Sequence, residues 1–466
     1  MNYVSTRGKA PDLAFDDVLL TGLARDGGLY VPDAWPTLSG ADIKAMNGLS
    51  YAETAFRVIR PFVGDSVNEG DLATIIDDTY AGFDHPDVAP LKTLAAGEHL
   101  MELFHGPTLA FKDYAMQFLG RMFDHVLAKR GERVTIVVAT SGDTGPAALE
   151  ACRGRDAIDI FNLYPDGRVS EVQRRQMTTV NESNVHNIAV RGTFDDCQNM
   201  VKAMFNDQPF RDRYRLSAVN SINWARVMAQ IVYYFYGSAR VTGGAHPVSF
   251  AVPTGNFGNV FAGYAAARIG LPIDKLIVGT NRNDILSRFF ESGLMQTGTV
   301  HPTISPSMDI QISSNFERLL FELYGRDSTV VRAIMNTFKD TGDFAVGPKQ
   351  MATARQLFVS ARFDDDEIKK TIRDVYEQSG ELIDPHSAIG IAAGRACRGN
   401  TDIPLISLAT AHPAKFPDAV EAACGVRPEL PAHLSDLFQR DERFTVLDND
   451  LAAVQDFVST ALPGTA

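Results

Sequence analysis

Short apolar runs rich in β-branched residues alternate with segments of helical periodicity along most of the chain after residue 100. The runs that predict buried strands are VTIVVAT (134–140), IDIFNLY (158–164), VHNIAV (185–190), YRLSAV (214–219), VSFAV (248–252), KLIVG (275–279) and IPLISLA (403–409). Such runs, separated by amphipathic segments, are typical of parallel sheets whose faces are covered by helices. The pattern therefore predicts an α/β fold with two parallel-sheet domains covered by helices.

The spacing of the predicted strands also divides the chain. Four closely spaced strands predict one small α/β domain, and the strands from VSFAV onward predict a larger one. The Gly243–Gly244 pair before VSFAV marks a crossing point between them. The first part of the chain lacks this alternation and predicts a mainly helical accessory region. The predicted bounds are 1–95 for the accessory region, 126–239 for the small substrate domain, and 96–125 with 240–466 for the large domain.

Composition narrows the class of protein. Lys and Arg number 44 against 57 for Asp and Glu, a net charge of −13, which argues against non-specific binding to nucleic acid. The four cysteines form no C-x-x-C pair, so we expect reduced thiols and no metal site. The first residues carry charges where a signal peptide needs an apolar core, and no apolar run approaches the ~18 residues of a membrane span. We expect a cytoplasmic enzyme that acts on a small molecule, without a nucleic acid, a membrane or an obligate protein partner.

The segment PTGNFGN (253–259) follows a predicted strand and precedes a predicted helix. A glycine-rich turn there lets backbone N–H groups approach an anion, and the helix dipole favours negative charge. No Gly-Lys-Ser/Thr closes the segment and it is not G-x-G-x-x-G, which weakens a nucleotide interpretation. A tight strand-to-helix turn without any ligand explains the pattern equally well. The candidate phosphate-binding residues are Gly255, Asn256, Phe257, Gly258 and Asn259.

A second turn of this kind is TSGDTG (140–145), which runs from the strand VTIVVAT into a helix. Ser141, Thr144 and the free amides there could bind a carboxylate or a phosphate. Asp143 could cap the helix or bond a ligand hydroxyl, and a plain N-terminal capping turn uses the same residue types. Two such turns suggest a ligand with two anionic groups, or a cofactor together with a substrate.

Lys112 lies in FHGPTLAFKDYAMQFLG (104–120) between apolar neighbours. Desolvation penalises an ammonium group, and a neutral amine is what Schiff-base chemistry requires. Most lysines in such surroundings instead extend to the surface. Thr410 ends the predicted strand IPLISLA, where its hydroxyl could bond a neutral ring nitrogen or cap the next segment.

The segment VNSINWARVMAQ (219–230) follows another predicted strand and offers Asn220, Ser221 and Arg226. The Arg226 guanidinium suits a pair of phosphate oxygens, although a helix-surface salt bridge would use the same residue. The segment DPHSAIG (384–390) offers Asp384 and His386, which we interpret as a capping turn.

The order of HGPTLAFKD, SGDTG, NSINWARV, PTGNFGN, DPHSAIG and ATAHPAKF resembles the threonine synthase family in its microbial and fungal form. The beginning, YVSTRG followed by LLTGLARDGGLYVP, is similar to the N-terminal region of the same family. The resemblance covers nearly the whole chain. HGPTLAFKD and the N-terminal signature are specific to the family, whereas SGDTG and GNFGN occur in variants across related enzymes.

The resemblance implies the tryptophan synthase β-like fold of pyridoxal-phosphate enzymes, called fold type II. It implies that Lys112 forms a Schiff base with pyridoxal 5'-phosphate, that the 253–259 segment binds the cofactor phosphate, and that Thr410 lies beside the pyridine nitrogen. The residues it implies for the substrate carboxylate or the cofactor ring oxygen are Ser141, Gly142, Asp143 and Thr144. Many relatives of this fold carry Asn in place of Asp143, and two anionic oxygens there would repel unless one is protonated. For the substrate phosphate we favour Asn220, Ser221 and Arg226.

The implied reaction converts O-phospho-L-homoserine and water to L-threonine and phosphate. A phospholyase that releases phosphate and a 2-oxo acid would use the same motifs, since the two routes diverge after phosphate leaves. A nucleotide-binding α/β protein is a further alternative, which the missing Walker lysine and dinucleotide fingerprint disfavour.

Overall fold

The computed structural model describes residues 1–140 and 142–462. The strands are β1 (Asn2–Ser5), β2 (Leu13–Ala14), β3 (Tyr30–Pro32), β4 (Leu91–Ala95), β5 (Glu98–Glu102), β6 (Val134–Ala139), β7 (Ile158–Pro165), β8 (Val185–Arg191), β9 (Leu216–Ser217), β10 (Val248–Pro253), β11 (Ile273–Thr280), β12 (Leu294–Gln296), β13 (Asp343–Ala345), β14 (Phe358–Arg362), β15 (Leu405–Ala409) and β16 (Thr445–Asp448). The helices are α1 (Phe15–Thr21), α2 (Gly40–Lys44), α3 (Tyr51–Val63), α4 (Glu69–Tyr80), α5 (Lys112–Arg130), α6 (Thr144–Cys152), α7 (Glu171–Thr178), α8 (Phe194–Asn206), α9 (Gln208–Tyr214), α10 (Trp224–Thr242), α11 (Gly258–Arg268), α12 (Ile285–Ser292), α13 (Phe316–Leu323), α14 (Ser328–Thr341), α15 (Pro348–Leu357), α16 (Asp365–Ser379), α17 (Pro385–Cys397), α18 (Pro417–Cys424) and α19 (Leu451–Ala461).

The chain forms two compact units. The first comprises Met1–Leu19, Leu23–Ala115 and Ser221–Pro428. The second comprises Leu20–Gly22, Met116–Asn220 and the chain from Glu429 onward.

These bounds differ from the predicted domain ranges of 126–239 and 240–466. Helix α10 belongs to the first unit because it packs on α3 and α11, and the segment after Glu429 belongs to the second because β16 extends its sheet. Residues 1–95 are almost entirely part of the first unit rather than a separate body.

The first unit is built on a six-stranded sheet of order β14-β11-β10-β15-β5-β4. Its neighbouring strands run parallel, except that β4 pairs antiparallel with β5 at one edge. Helix α17 packs on β10, β11 and β15 through buried Ile389 and Ala393, and Ala393 lies in one core cluster with Ala251, Ile277 and Leu405. The predicted strands VSFAV, KLIVG and IPLISLA are confirmed as β10, β11 and β15.

The second unit is built on a five-stranded parallel sheet of order β16-β8-β7-β6-β9. Its core includes Val137, Phe161 and Ile188 from the strands and Val201 and Val458 from helices. The predicted strands at 134–140, 158–164 and 185–190 are confirmed, whereas YRLSAV contributes only the two-residue strand β9. Both units therefore have the predicted architecture of parallel strands covered by helices.

The N-terminal region contains the predicted helices, α1 to α4, together with a small antiparallel sheet of order β2-β1-β3. The sheet strands are only two to four residues long, too short to give a recognisable period-2 pattern. No helix in the described part of the chain is both long enough and apolar enough to cross a membrane.

Candidate active site

Lys112 is the first residue of helix α5 and follows a turn with an unusual backbone. Leu109 has a φ of 63°, a left-handed conformation that costs free energy for a side chain of this kind. Phe111 N donates a 2.9 Å hydrogen bond to Thr410 O, and His412 N donates one of 3.0 Å to Leu109 O. These two backbone hydrogen bonds hold the turn against the segment after β15. They bring Lys112 beside Thr410, although the two residues are far apart in sequence.

A buried carboxylate holds this turn in place. Asp113 accepts hydrogen bonds from Thr108 N at 2.8 Å and Thr108 Oγ1 at 2.6 Å. Lys415 Nζ donates to Thr108 O at 2.7 Å, and the side chains of Asp113 and Lys415 are both inaccessible to solvent. Lys112 itself is half-buried, with Nζ 5.0 Å from the centre of the Phe111 ring. The lysine is therefore carried by a backbone that these hydrogen bonds hold in place.

The titration of Asp113 gives a testable pH dependence. Burial raises the pKa of Asp113 to about 6, although the bonds from Thr108 and the charge of Lys415 oppose the rise. In the unfolded chain the carboxyl loses its proton near 3.8, so the native state holds an extra proton between these values and loses stability as pH rises through that window. We expect the free energy of unfolding of Asp113→Asn, relative to wild type, to rise by on the order of 2–3 kcal/mol from pH 4 to pH 6 and to level off above it.

Urea unfolding of both proteins at half-unit pH steps measures this difference. A difference that is flat, or that falls with pH, would contradict a buried carboxyl with a raised pKa.

The 253–259 loop lies between β10 and α11, as predicted. Phe257, just before α11, has φ 62° and ψ 0°, a left-handed conformation in a buried aromatic residue. Its ring packs edge-on against Phe316 with centroids 5.1 Å apart. Such strain persists only where the surroundings enforce it, and it is concentrated at ligand sites.

Two side chains from the segment before α13 fix the loop from outside. Ser313 Oγ donates to Gly255 O at 2.7 Å, and Asn315 donates to Asn256 O through its backbone N and its Nδ2, each at 3.1 Å. These bonds fix the loop's backbone, and backbone N–H groups fixed before a helix are suited to binding an anion.

Asn259 presents a donor without a protein acceptor. Its Oδ1 accepts hydrogen bonds from Tyr233 Oη at 2.6 Å and Tyr234 Oη at 2.9 Å. Its Nδ2 is buried and has no hydrogen-bond partner within the described residues. An unmatched buried donor costs free energy, so its presence at a phosphate-type loop indicates an anionic ligand. The two tyrosines that fix this amide were missed by the sequence analysis.

Arg226 lies in the first turn of α10 and is 2% exposed, so the alternative of a helix-surface arginine is wrong. Burial lowers the pKa of its guanidinium to about 10. Tyr233, which donates to Asn259, is seven residues later on the same helical face and interacts electrostatically with Arg226. Ser221 O lies 3.8 Å from where a Cβ on Gly258 would stand. Arg226 and Ser221 therefore belong to the surroundings of the loop, whereas the half-buried Asn220 falls in the second unit.

Lys112, Thr410 and the loop lie at the edge of the six-stranded sheet that is formed by the carboxyl ends of its strands. Strands β10 and β15 are parallel neighbours with Ser249 opposite Leu405 and Ala251 opposite Ser407. The segments that follow their carboxyl ends are therefore adjacent, which is where open α/β sheets bind ligands. Thr410 N donates to Ser387 Oγ at 3.0 Å, so DPHSAIG, which we interpreted as a capping turn, also contacts this edge.

In the second unit, Thr140 is the side chain that accepts the backbone hydrogen bonds of the 140–145 turn, whereas the sequence analysis considered Asp143 for helix capping. Thr140 Oγ1 accepts from Gly142 N at 3.1 Å and from Gly145 N at 3.0 Å. Asp143 makes no side-chain capping bond and instead accepts a 2.9 Å hydrogen bond from Gln173 Nε2, a residue that the sequence analysis missed. Gly142 and Asp143 are buried and Thr144 is half-buried. Ser141 lies outside the described residues.

Family models match three parts of the chain. Residues 2–80 match the threonine synthase N terminus, residues 96–336 match the pyridoxal-phosphate dependent enzyme family, and residues 387–458 match the C-terminal region of threonine synthase.

Whole-chain comparisons agree with the family models. The chain is 57% identical to threonine synthase of Pseudomonas aeruginosa over 460 residues, which cover 98% of each chain. It is similar to the crystal structure of pyridoxal-phosphate-bound threonine synthase from Brucella melitensis, with 56% identity, 99% coverage of both chains and a TM-score of 0.97. It is also similar to threonine synthase from yeast, with 39% identity, 99% coverage of both chains and a TM-score of 0.94. By this similarity over its whole length, the chain belongs to the threonine synthase family.

Proposed function

We propose that the chain is a pyridoxal-phosphate-dependent threonine synthase that converts O-phospho-L-homoserine and water to L-threonine and phosphate. The observation that carries the proposal is the convergence of Lys112, Thr410 and the 253–259 loop at one sheet edge. An amine can bind the aldehyde of this cofactor, a hydroxyl can bond its ring nitrogen, and an anion-binding loop can hold its phosphate. Membership of the family supports the same activity.

The residues of the first unit fit the cofactor. The unmatched Asn259 Nδ2, the strained backbone at Phe257 and the N-terminus of α11 all favour a phosphate group. A Cβ on Gly255 would lie 3.2 Å from Ser307 O and 3.3 Å from Met308 Cα, so the loop is closely enclosed on that side. We assign phosphate binding to the residues of this loop, namely Gly255, Asn256, Phe257, Gly258 and Asn259.

When bound, pyridoxal phosphate supplies an electron sink for carbanions next to the amino group. We assign Lys112 to covalent attachment of the cofactor and to movement of the substrate's α-proton, since an amine freed there can serve as a general base. We assign the Thr410 hydroxyl to the ring nitrogen. A neutral hydroxyl at that position leaves the nitrogen without a proton and moderates the electron demand.

The substrate contacts form a second part of the proposal. Arg226 is buried with a depressed pKa, and a phosphate dianion would offset the cost of holding its charge there. We assign Arg226, Ser221 and Asn220 to the substrate phosphate, and Ser141, Gly142 and Thr144 to the substrate carboxylate. Asp143, held by Gln173, is assigned to the cofactor ring oxygen, where one of the two oxygens must carry a proton.

The experiment that tests the function is turnover of O-phospho-L-homoserine with identification of every product. We expect equal amounts of L-threonine and phosphate, and a cofactor absorbance band in the purified protein. L-Homoserine, which lacks the phosphate leaving group, is the matched control and should give no product. Release of phosphate with a 2-oxo acid would instead make the protein a phospholyase, and a colourless protein that takes up no pyridoxal phosphate would overturn the proposal.

A further inference from the structure

Asp384 is an inaccessible carboxylate at the N-terminus of α17 that accepts four hydrogen bonds. Its Oδ1 accepts from Ser387 N at 2.9 Å and from the Ser387 hydroxyl. Its Oδ2 accepts from His386 N at 2.9 Å and from His386 Nδ1 at 2.6 Å. Helix capping alone needs only the two backbone bonds, so the two side-chain bonds require a further explanation.

Ser387 connects Asp384 to Thr410, the residue assigned to the ring nitrogen of the cofactor; we call this part of the site the ring end. Since the Ser387 hydroxyl donates to Asp384, its oxygen lone pairs are directed away and accept the 3.0 Å bond from Thr410 N. Thr410 O in turn accepts from Phe111 N, next to Lys112. The carboxylate thus fixes the rotation of one hydroxyl, and that hydroxyl fixes the backbone that carries Thr410.

His386 connects Asp384 to the backbone beside the 253–259 loop, which is assigned to the cofactor phosphate; we call this part of the site the phosphate end. Ser307 N donates to His386 Nε2 at 3.2 Å, so Nε2 must be an acceptor and the ring proton must be on Nδ1, where it donates to Asp384. The carbonyl of Ser307 and the Cα of Met308 are the atoms that enclose Gly255. The same carboxylate therefore fixes a ring tautomer, and that ring fixes the backbone that covers the 253–259 loop.

We infer that Asp384 is a positioning residue that sets the ring end and the phosphate end of the cofactor site through these two arms, the Ser387 arm and the His386 arm. The inference rests on the proposed function for the identity of the cofactor, but the two arms are properties of the protein alone. Because one buried carboxylate serves both arms, its loss loosens both ends together, whereas the loss of either arm loosens one end.

Hydrogen–deuterium exchange of the cofactor-free protein tests this pattern directly. In Asp384→Asn an NH₂ group replaces one carboxylate oxygen, so the two donor groups that bonded to that oxygen lose their acceptor. We therefore expect faster exchange in both peptides, 304–310 and 408–412. Ser387→Ala should accelerate exchange only in 408–412. His386→Phe keeps a ring against Phe416 but removes the acceptor for Ser307 N, and should accelerate exchange only in 304–310.

Cofactor binding gives a second readout that differs between the arms. We expect the dissociation constant of pyridoxal phosphate to rise about tenfold or more in Asp384→Asn, because the backbone at both ends of the site is no longer held in its binding geometry. Ser387→Ala should shift the absorbance band of the bound cofactor, and His386→Phe should shift its ³¹P resonance. Asp327→Asn is the matched control, because the exposed Asp327 caps α14 through the same two backbone bonds, from Thr329 N and Val330 N.

Three outcomes decide the inference. The selective exchange pattern together with weaker cofactor binding in Asp384→Asn supports it. Wild-type exchange and binding in Ser387→Ala and His386→Phe overturn it, whether or not Asp384→Asn folds. If the wild-type protein binds no pyridoxal phosphate but the exchange pattern is found, the proposed function fails while the two-armed role of Asp384 in the fold stands.

Discussion

Replacing Lys112 with alanine will lower the turnover of O-phospho-L-homoserine by at least about a thousandfold, because both cofactor attachment and proton transfer are assigned to its amine. The fold should survive the change. Lys112 is half-buried, and the hydrogen bonds that Asp113, Thr108 and the neighbouring backbone make in its turn are retained in the variant. Thermal unfolding and steady-state kinetics of the purified variant measure the two effects separately.

Borohydride reduction adds a direct chemical test. In the wild-type protein it should fix one cofactor adduct on the peptide that contains Lys112, and in Lys112→Ala it should fix none there. Lys339→Ala, which removes an exposed lysine of α14, is the control and should keep both the adduct and the rate. Wild-type turnover in Lys112→Ala, or an adduct on another lysine, would remove Lys112 from its assigned role.

Asn259→Asp should raise the dissociation constant of pyridoxal phosphate by about a hundredfold. The new carboxylate has nearly the same shape, and its oxygen can still accept from Tyr233 and Tyr234, so the surrounding packing is preserved. The buried donor that faces the loop, however, becomes an anionic oxygen beside the phosphate. Repulsion between like charges at a buried site costs several kcal/mol, which corresponds to the expected factor.

Absorbance titration of the cofactor-free protein measures this affinity. Asn400→Asp is the matched control, because Asn400 is exposed and its Oδ1, which accepts from Asp402 N at 3.0 Å, is retained as an acceptor in aspartate. Tyr233→Phe removes one bond to Asn259 Oδ1 but keeps the donor, so its affinity should fall only a few-fold. Equal affinities for the wild-type protein and Asn259→Asp would show that the phosphate binds elsewhere.

The strands that were predicted are those whose local sequence is apolar on both faces. Strand β5 was missed because its buried stretch EHLME begins and ends with glutamates, and Glu98 is neutralised by Arg395 at 2.7 Å only in the folded chain. Strand β16 was missed because TVLD is half-exposed at a sheet edge and has no apolar run. The segment YRLSAV has strand-like residues but forms only a two-residue strand, because the chain leaves the sheet after Ser217. Partners distant in sequence decide all three cases.

The candidate site divides in the same way. Lys112, Thr410 and the 253–259 loop belong to short motifs whose residue types are enough to predict a binding role. The structure brings these motifs together. Tyr233, Tyr234 and Gln173 act by fixing a neighbour's amide or carboxylate, so only their three-dimensional contacts reveal them. Asp384 was visible in the sequence, but its four donors and their onward bonds were not.

The strand order of the first sheet has a consequence for the synthesis of the protein. Strand β15 lies between β10 and β5, yet it follows both of them by more than 150 residues in the chain. A ribosome that has made β5 and β10 has therefore made two edges that cannot yet be joined, and contacts of such long range form slowly. These edges stay unpaired with β15 until residues 405–409 have been made. A chain that ends before Thr410 also lacks the hydroxyl assigned to the ring nitrogen, so the cofactor site is completed only late in synthesis.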